Sequence, residues 1–254
     1  MRIHAAVAAA TGALALSALA VPTAHADETF GDTKITGVVV NGGRPVVLGT
    51  DARTVTVKVT ATDPAGFDEI NATLYHGSYG AQDATVPAAA ACGPTTATTS
   101  TCTLTFTLTP GTVPADGTLA GAWSVSAYAL ASDSDAVFLD NAAGLTVQRD
   151  TRVTVDATPE RVARGRSITV TGGVRHADWA TGAYAAAAAG RPVELQFRAE
   201  GCSSYTTVKT VRTAADGTLS TTVRASSDGS YRWSYAGTAD TAPAVSTGDF
   251  VDVR

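Results

Sequence analysis

The first question is which residues could do chemistry. The 254-residue chain has only four histidines and three cysteines. His4 and His25 lie in an N-terminal segment with the character of an export signal, which leaves His76 and His176 for acid–base work. Nucleophilic hydrolysis needs a Ser or Cys activated by a base. No G-x-S-x-G elbow, paired zinc-binding histidines or Gly-rich phosphate loop is present. His76 follows a strand pattern and His176 lies in the long 174–191 connection, so both read as strand-end or surface histidines. Asp and Glu are scattered over turns, where Asp has its own backbone role, rather than arranged as a glycosidase pair. The sequence predicts no enzyme.

Oxygen ligands are the next candidate. Calcium takes six to eight oxygens, mostly from loop carboxylates and carbonyls. The densest acidic group is Asp133, Asp135 and Asp140, followed by Asn141. It is not an EF-hand: counting from Asp133, the fifth position is Val137, the sixth Phe138 and the twelfth Gly144. A second group is Asp63, Asp68 and Glu69 around the Pro64-Ala65-Gly66 turn. Ca2+ is the one cofactor these residues could take, and solvated turn carboxylates are the alternative. Aromatic side chains offer a third chemistry, stacking on a glycan. Tyr231, Trp233 and Tyr235 alternate with Arg232 and Ser234, which predicts three rings on the buried face of one strand. Trp179 and Tyr184, in the long connection, are the candidates for exposed binding aromatics; the alternative is a loop packed over the sandwich end.

The N-terminal segment sets the compartment. Arg2 supplies the positive charge, an Ala/Leu-rich apolar run follows, and Ala24-His25-Ala26 is a small-x-small cleavage site. Residues 1–26 therefore read as a cleaved signal peptide, with no Cys at the cut and no twin-Arg pair. No later apolar run is long enough to span a bilayer, and no wall-sorting or membrane-anchoring tail is evident. The net charge of −5 argues against nucleic-acid binding. In an oxidising compartment Cys92 and Cys102 are expected to bridge, and Cys202 is left as a semi-buried small residue or an intermolecular thiol.

The elements that must position these residues are strands. Thr54-Val55-Thr56-Val57-Lys58-Val59-Thr60 alternates with period two, as do residues 102–108, 123–130, 168–171 and 193–198. Asn41-Gly42-Gly43, Asp116-Gly117, Asp216-Gly217 and Asp228-Gly229 mark the reversals. Residues 205–213 and 218–224 read as a hairpin about the 214–217 turn, although Val208 and Val211 fall on opposite faces and leave its register open. Residues 185–189 read as a helical turn or a loop insertion. About seven strand candidates fall on each side of residue 149. The reading is therefore all-β: two tandem Ig-like antiparallel β-sandwich domains, 27–149 and 150–254, after the signal peptide. A linker as short as Arg149-Asp150-Thr151 should make a stiff rod.

These stretches also carry a resemblance. Residues 152–254 resemble the C-terminal Ig-like domain of secreted actinobacterial (Streptomyces-like) proteins, through Thr154-Val155-Asp156-Ala157-Thr158-Pro159-Glu160 and residues 165–172, 193–198, 205–211 and 229–237. Gly248-Asp249-Phe250-Val251-Asp252-Val253 completes the match. The first domain is similar to the usual N-terminal companion, through Thr60-Ala61-Thr62-Asp63-Pro64 and residues 142–149. The resemblance implies secretion and the two-sandwich fold. Members are often labelled calcium-binding, with no motif that assigns the label to particular residues. The expected function is a secreted, monomeric, non-enzymatic binding or structural module with an extracellular protein or glycan partner. A loop-bound calcium protein is the alternative, and a glycan-binding module a further one.

Overall fold

A computed structural model describes residues 27–254; the expected signal peptide lies outside the described residues. Strands β1 (Glu28–Phe30), β2 (Lys34–Val40), β3 (Val46–Leu48), β4 (Arg53–Thr62), β5 (Phe67–Ser78), β6 (Ala81–Pro87), β7 (Thr99–Leu108), β8 (Gly121–Ala131) and β9 (Ala136–Arg149) build two facing sheets. One has the order β1-β9-β8-β5-β6, with β3 parallel to β9; the other is β2-β4-β7. Alternation explains the pairing. Val55, Val57 and Val59 of β4 lie opposite Phe106, Leu104 and Cys102 of β7, and all six side chains are buried. The intervening threonines and Lys58 face outward, as period-two burial requires.

The second half contains β10 (Thr151–Thr158), β11 (Arg161–Val162), β12 (Ser167–Asp178), β13 (Ala183–Ala186), β14 (Pro192–Ala199), β15 (Thr206–Arg212), β16 (Thr218–Arg224), β17 (Gly229–Tyr235), β18 (Ala244–Val245) and β19 (Asp249–Val253). One sheet runs β10-β12-β13 with β16 also on β12, and the other runs β11-β19-β17-β14-β15 with β18 on β17. Each half thus forms an all-β, Ig-like sandwich. Tyr231, Trp233 and Tyr235 project from β17 into the second core, as their alternation predicts.

One local expectation fails and another holds only in part. Residues 205–224 do not form a hairpin: β15 pairs with β14, whereas β16 pairs with β12 in the opposite sheet. The 214–217 turn closes through Ala214 N–H to Thr218 O and Gly217 N–H to Ala214 O, and carries the chain between sheets. Turn chemistry reverses a chain without choosing which strand it returns to. Of residues 185–189, Ala185 and Ala186 end an edge strand on β12, with His176 opposite Ala185, and 187–189 are loop; no helical turn forms.

Cys92 and Cys102 are bonded, with Cα atoms 5.9 Å apart. Cys92 exchanges both backbone hydrogen bonds with Ile70 of β5, and Cys102 lies on β7, so the bridge staples one sheet to the other at their edges. Cys202, expected to be semi-buried, is exposed in the turn after β14, its N–H donated to Ala199 O at 3.1 Å. Replacing Cys92 and Cys102 together by Ser should lower the unfolding free energy by about 2–3 kcal/mol, the loop-closure value for a ring of this size. Urea denaturation of the oxidised protein and of the double variant measures it; equal midpoints would show that the staple does not stabilise the fold.

Candidate functional site

The acidic groups of the sequence are rearranged in space. Asp32, Asp63 and Asp135 each present a carboxylate oxygen, all within 4.8 Å of one another, at one end of the first sandwich. Asp135 leaves the β8–β9 turn, where Ser134 adopts a left-handed φ of 77° and the Asp135 N–H is donated to Asp133 Oδ1 at 3.2 Å. Its Oδ2 accepts the Asp32 N–H at 2.9 Å. The approach depends on Gly31 (φ 78°): a Cβ there would lie 1.7 Å from Asp135 Oδ2. Asp63 is 2% exposed and serves its own turn, accepting from Ala65 N–H at 2.7 Å and from the Thr33 hydroxyl at 2.5 Å.

Asp32, Lys34, Thr62, Asp63, Pro64 and Thr98 line an open depression at this end. Among the described residues no Lys or Arg lies within ion-pair distance of any of the three carboxylates. Three like charges so close repel, and a hard divalent cation with added carbonyl and water oxygens would offset that.

The rest of the expected calcium sets disperse. Asp133 caps the turn that holds Asp135 and is exposed. Asp140 does not join it: β9 bulges, its pairing with β8 jumping from Val125–Ala143 to Ala127–Leu139, and this turns Asp140 into a site beside Asp27. Asp68 accepts from the Ser132 hydroxyl at 2.7 Å and Glu69 from Asn71 Nδ2 at 3.1 Å. Asp32 was not legible as a partner, because nothing local links it to a residue 103 positions away.

The expected exposure of Trp179 is corrected, and the packed-loop alternative holds for it. Trp179 is 1% exposed, and it belongs to the core of the first sandwich although it follows β12 of the second. Its indole N–H is donated to Leu48 O at 3.2 Å. Tyr184 is half-buried beside it; its hydroxyl is donated to Asp150 Oδ2 at 2.6 Å, and the Arg152 guanidinium sits 3.6 Å above its ring. Burial and the Asp150 carboxylate hold the Tyr184 phenol above its ordinary range. The connection that seemed free to reach a ligand is the seam between the halves. Arg149 and Asp150 complete that seam. Arg149 N–H is donated to Asp240 O and Ala242 N–H to Arg149 O, both at 2.9 Å, while Ala177 N–H is donated to Asp150 O at 2.8 Å. Gln148 Nε2 is donated to Thr238 O at 2.7 Å.

The histidines are separate from the carboxylate cluster and from one another. His76 Nδ1 lies 2.7 Å from Asp83 Oδ1 at a strand end, with its ring edge-on to Trp123. His176 is 5% exposed and hydrogen-bonded through Nδ1 to Thr151 Oγ1 at 3.0 Å, in the seam rather than on the surface as expected. Burial, then the charges of Arg149 and Arg191, push its pKa down to about 4. Thr151 is buried as well, so this pair meets no substrate.

No family model matches the sequence, and no curated protein matches it. Among solved structures, the chain is similar to fibronectin(III)-like modules of CbhA from Clostridium thermocellum, at 14% identity over 85% of this chain and 93% of that one, with a TM-score of 0.37. The D0–D1 domains of intimin align at 14% identity over 86% and 98% (TM-score 0.28). The three N-terminal domains of the bacteriophage RB49 outer capsid protein Hoc align at 13% over 87% and 70% (TM-score 0.35).

The His176 shift has a defined sign. Its folded pKa lies below the ordinary 6.5, so the unfolded chain binds the extra proton first. The stability it contributes is complete above about pH 6.5 and is lost as pH falls towards 4, by up to about 3 kcal/mol. The melting temperature should therefore fall across that window, and His176→Asn should flatten the fall. A slope unchanged by the substitution would exclude the assignment.

Proposed function

We propose that the chain is an extracellular, non-enzymatic structural module that holds two Ig-like sandwiches at a fixed angle. The single observation that carries this reading is Trp179, a side chain of the second half buried in the core of the first. A module used as a flexible tether has no need of such a contact, since inter-domain surfaces are otherwise small and polar. A rigid spacer, presenting the loops at its two ends to a protein or glycan, does need it. The disulfide is compatible with an oxidising compartment. Membership of the secreted actinobacterial Ig-like group belongs with this reading and rests on the stretches quoted above. So do the expected division at residues 149–150 and the monomeric state.

Trp179→Ala should loosen the angle without unfolding either sandwich. Truncating a buried Trp costs about 3–5 kcal/mol. Small-angle scattering should give one narrow distance distribution for the wild-type protein and a broad one for the variant. A broad distribution for the wild type would reject the rigid-spacer reading.

A second reading is favoured by one observation, the convergence of Asp32, Asp63 and Asp135. It holds that the free end of the first sandwich takes Ca2+. Binding only to the native state must raise stability. For an extracellular-type affinity near 1 mM, ~10 mM calcium should raise the melting temperature by about 3–6 °C, and Asp135→Asn should remove the rise. No difference between calcium and chelator would dismiss this reading and leave the spacer intact.

A further inference from the structure

The bulge in β9 leaves one chemical anomaly in the first sandwich. Asp140 is 8% exposed, and its Oδ2 is buried with no hydrogen-bond partner. The main chain of the same residue is satisfied: Tyr75 donates its hydroxyl to Asp140 O at 2.9 Å, and Asp140 N–H is donated to Asp27 Oδ1 at 3.1 Å. A buried carboxylate oxygen without a donor is costly, and such groups are ordinarily paired with a cation or several N–H groups. Among the described residues, the titratable groups that meet it are Asp27 of the N-terminal segment, Tyr75 of β5 and Tyr79 of the β5–β6 turn, with Glu28 acting on Tyr79; none is a cation. Tyr79 registers the negative charge: burial and then Asp140 hold its phenol above the ordinary range.

Among the described residues Asp140 Oδ2 has no positive donor, and the chain can make one there. Glu28 of β1 pairs with Phe138 of β9, so the antiparallel ladder brings Asp27, one residue earlier, alongside the bulge. Its backbone nitrogen is a few covalent bonds from the Oδ1 that already touches Asp140. We infer that the α-ammonium group created at Asp27 by removal of residues 1–26 is the partner of Asp140 Oδ2, so that processing completes the fold. The inference rests on the export reading, with cleavage after Ala26. A signal peptidase adds water across the Ala26–Asp27 amide. The hydroxyl goes to the Ala26 carbonyl, which leaves as a carboxylate, and the nitrogen of Asp27 keeps its proton and gains two to become an ammonium. A neutral amide with one N–H is thereby replaced by a cation with three donors, next to an acceptor that has none.

The test compares the chain starting at Asp27 with the same chain carrying a Gly-Ser extension before Asp27, each with and without Asp140→Asn. At pH 6.5 the Asp27 form should melt about 3–6 °C above the extended form, a charge-assisted contact in a protein of this size. The Asp140→Asn pair should melt together. Contact with Asp140 raises the ammonium pKa in the folded state, so this stability is complete below the ordinary α-amino value near 8 and is lost at higher pH. As a readout that needs no variant, acylation of the α-amine at neutral pH should be slowed at least about tenfold relative to the unfolded chain, since the reagent needs the free amine. Equal melting of the Asp27 and extended forms from pH 6 to 10, or acylation at the unfolded rate, overturns the contact. Intact mass of the exported protein tests the reading beneath it. A first residue other than Asp27 overturns both, whereas an Asp27 start with equal melting overturns only the contact and leaves export standing.

Discussion

One indole ring is the largest side chain that crosses between the two halves of this protein. Trp179 leaves the end of β12 in the second sandwich and is buried in the core of the first, with its N–H on Leu48 O. A buried Trp side chain removes about 150–250 Å² from water, more than any other residue offers for one crossing of a domain boundary. The polar contacts follow from that insertion. Asp150 N–H is donated across the seam to Leu48 O and Asp150 O accepts from Ala177 N–H, Tyr184 reaches Asp150, and Arg149 is held between Asp240 and Ala242. His176, in the same strand, is buried against Thr151 and loses its affinity for a proton. The three-residue linker is therefore part of the packed structure.

The first sandwich uses its own carboxylates differently at each place. Asp63 is buried because it completes a turn, with two donors on its side chain. Asp135 reaches the main chain of Asp32 over a glycine that leaves the space. Asp140 is turned inward by the β9 bulge and lacks a donor for one oxygen. A cluster of three acidic side chains and a solitary buried carboxylate ask for different partners: a hard cation for the first, a hydrogen-bond-donating cation for the second.

Strand identity was legible wherever alternation decides burial. The Val55-Val57-Val59 face, the 102–108 strand and the Tyr231-Trp233-Tyr235 face all point as period two requires. The Cys92–Cys102 bridge was legible from compartment and proximity. Pairing was not legible where it depends on the far strand. Thr206–Arg212 carries apolar residues on both faces, so no pattern says that β16 returns to the opposite sheet. The candidate site was half legible. Asp63 and Asp135 stood out in separate groups, but a bulge removed Asp140 and a turn 103 residues away added Asp32. Trp179 was legible only as one of two alternatives, an exposed aromatic or a packed loop, because a long, Gly- and Ala-rich connection looks like a surface loop. Its burial depends on a cavity supplied by the other half of the chain.

Differential scanning calorimetry of the whole chain bears most directly on the claim that Trp179 makes the two sandwiches one structural unit. The account predicts a single transition whose calorimetric and van't Hoff enthalpies agree, and its splitting into two in Trp179→Ala. Two separate transitions in the wild-type protein, with Trp179 in place, would contradict it.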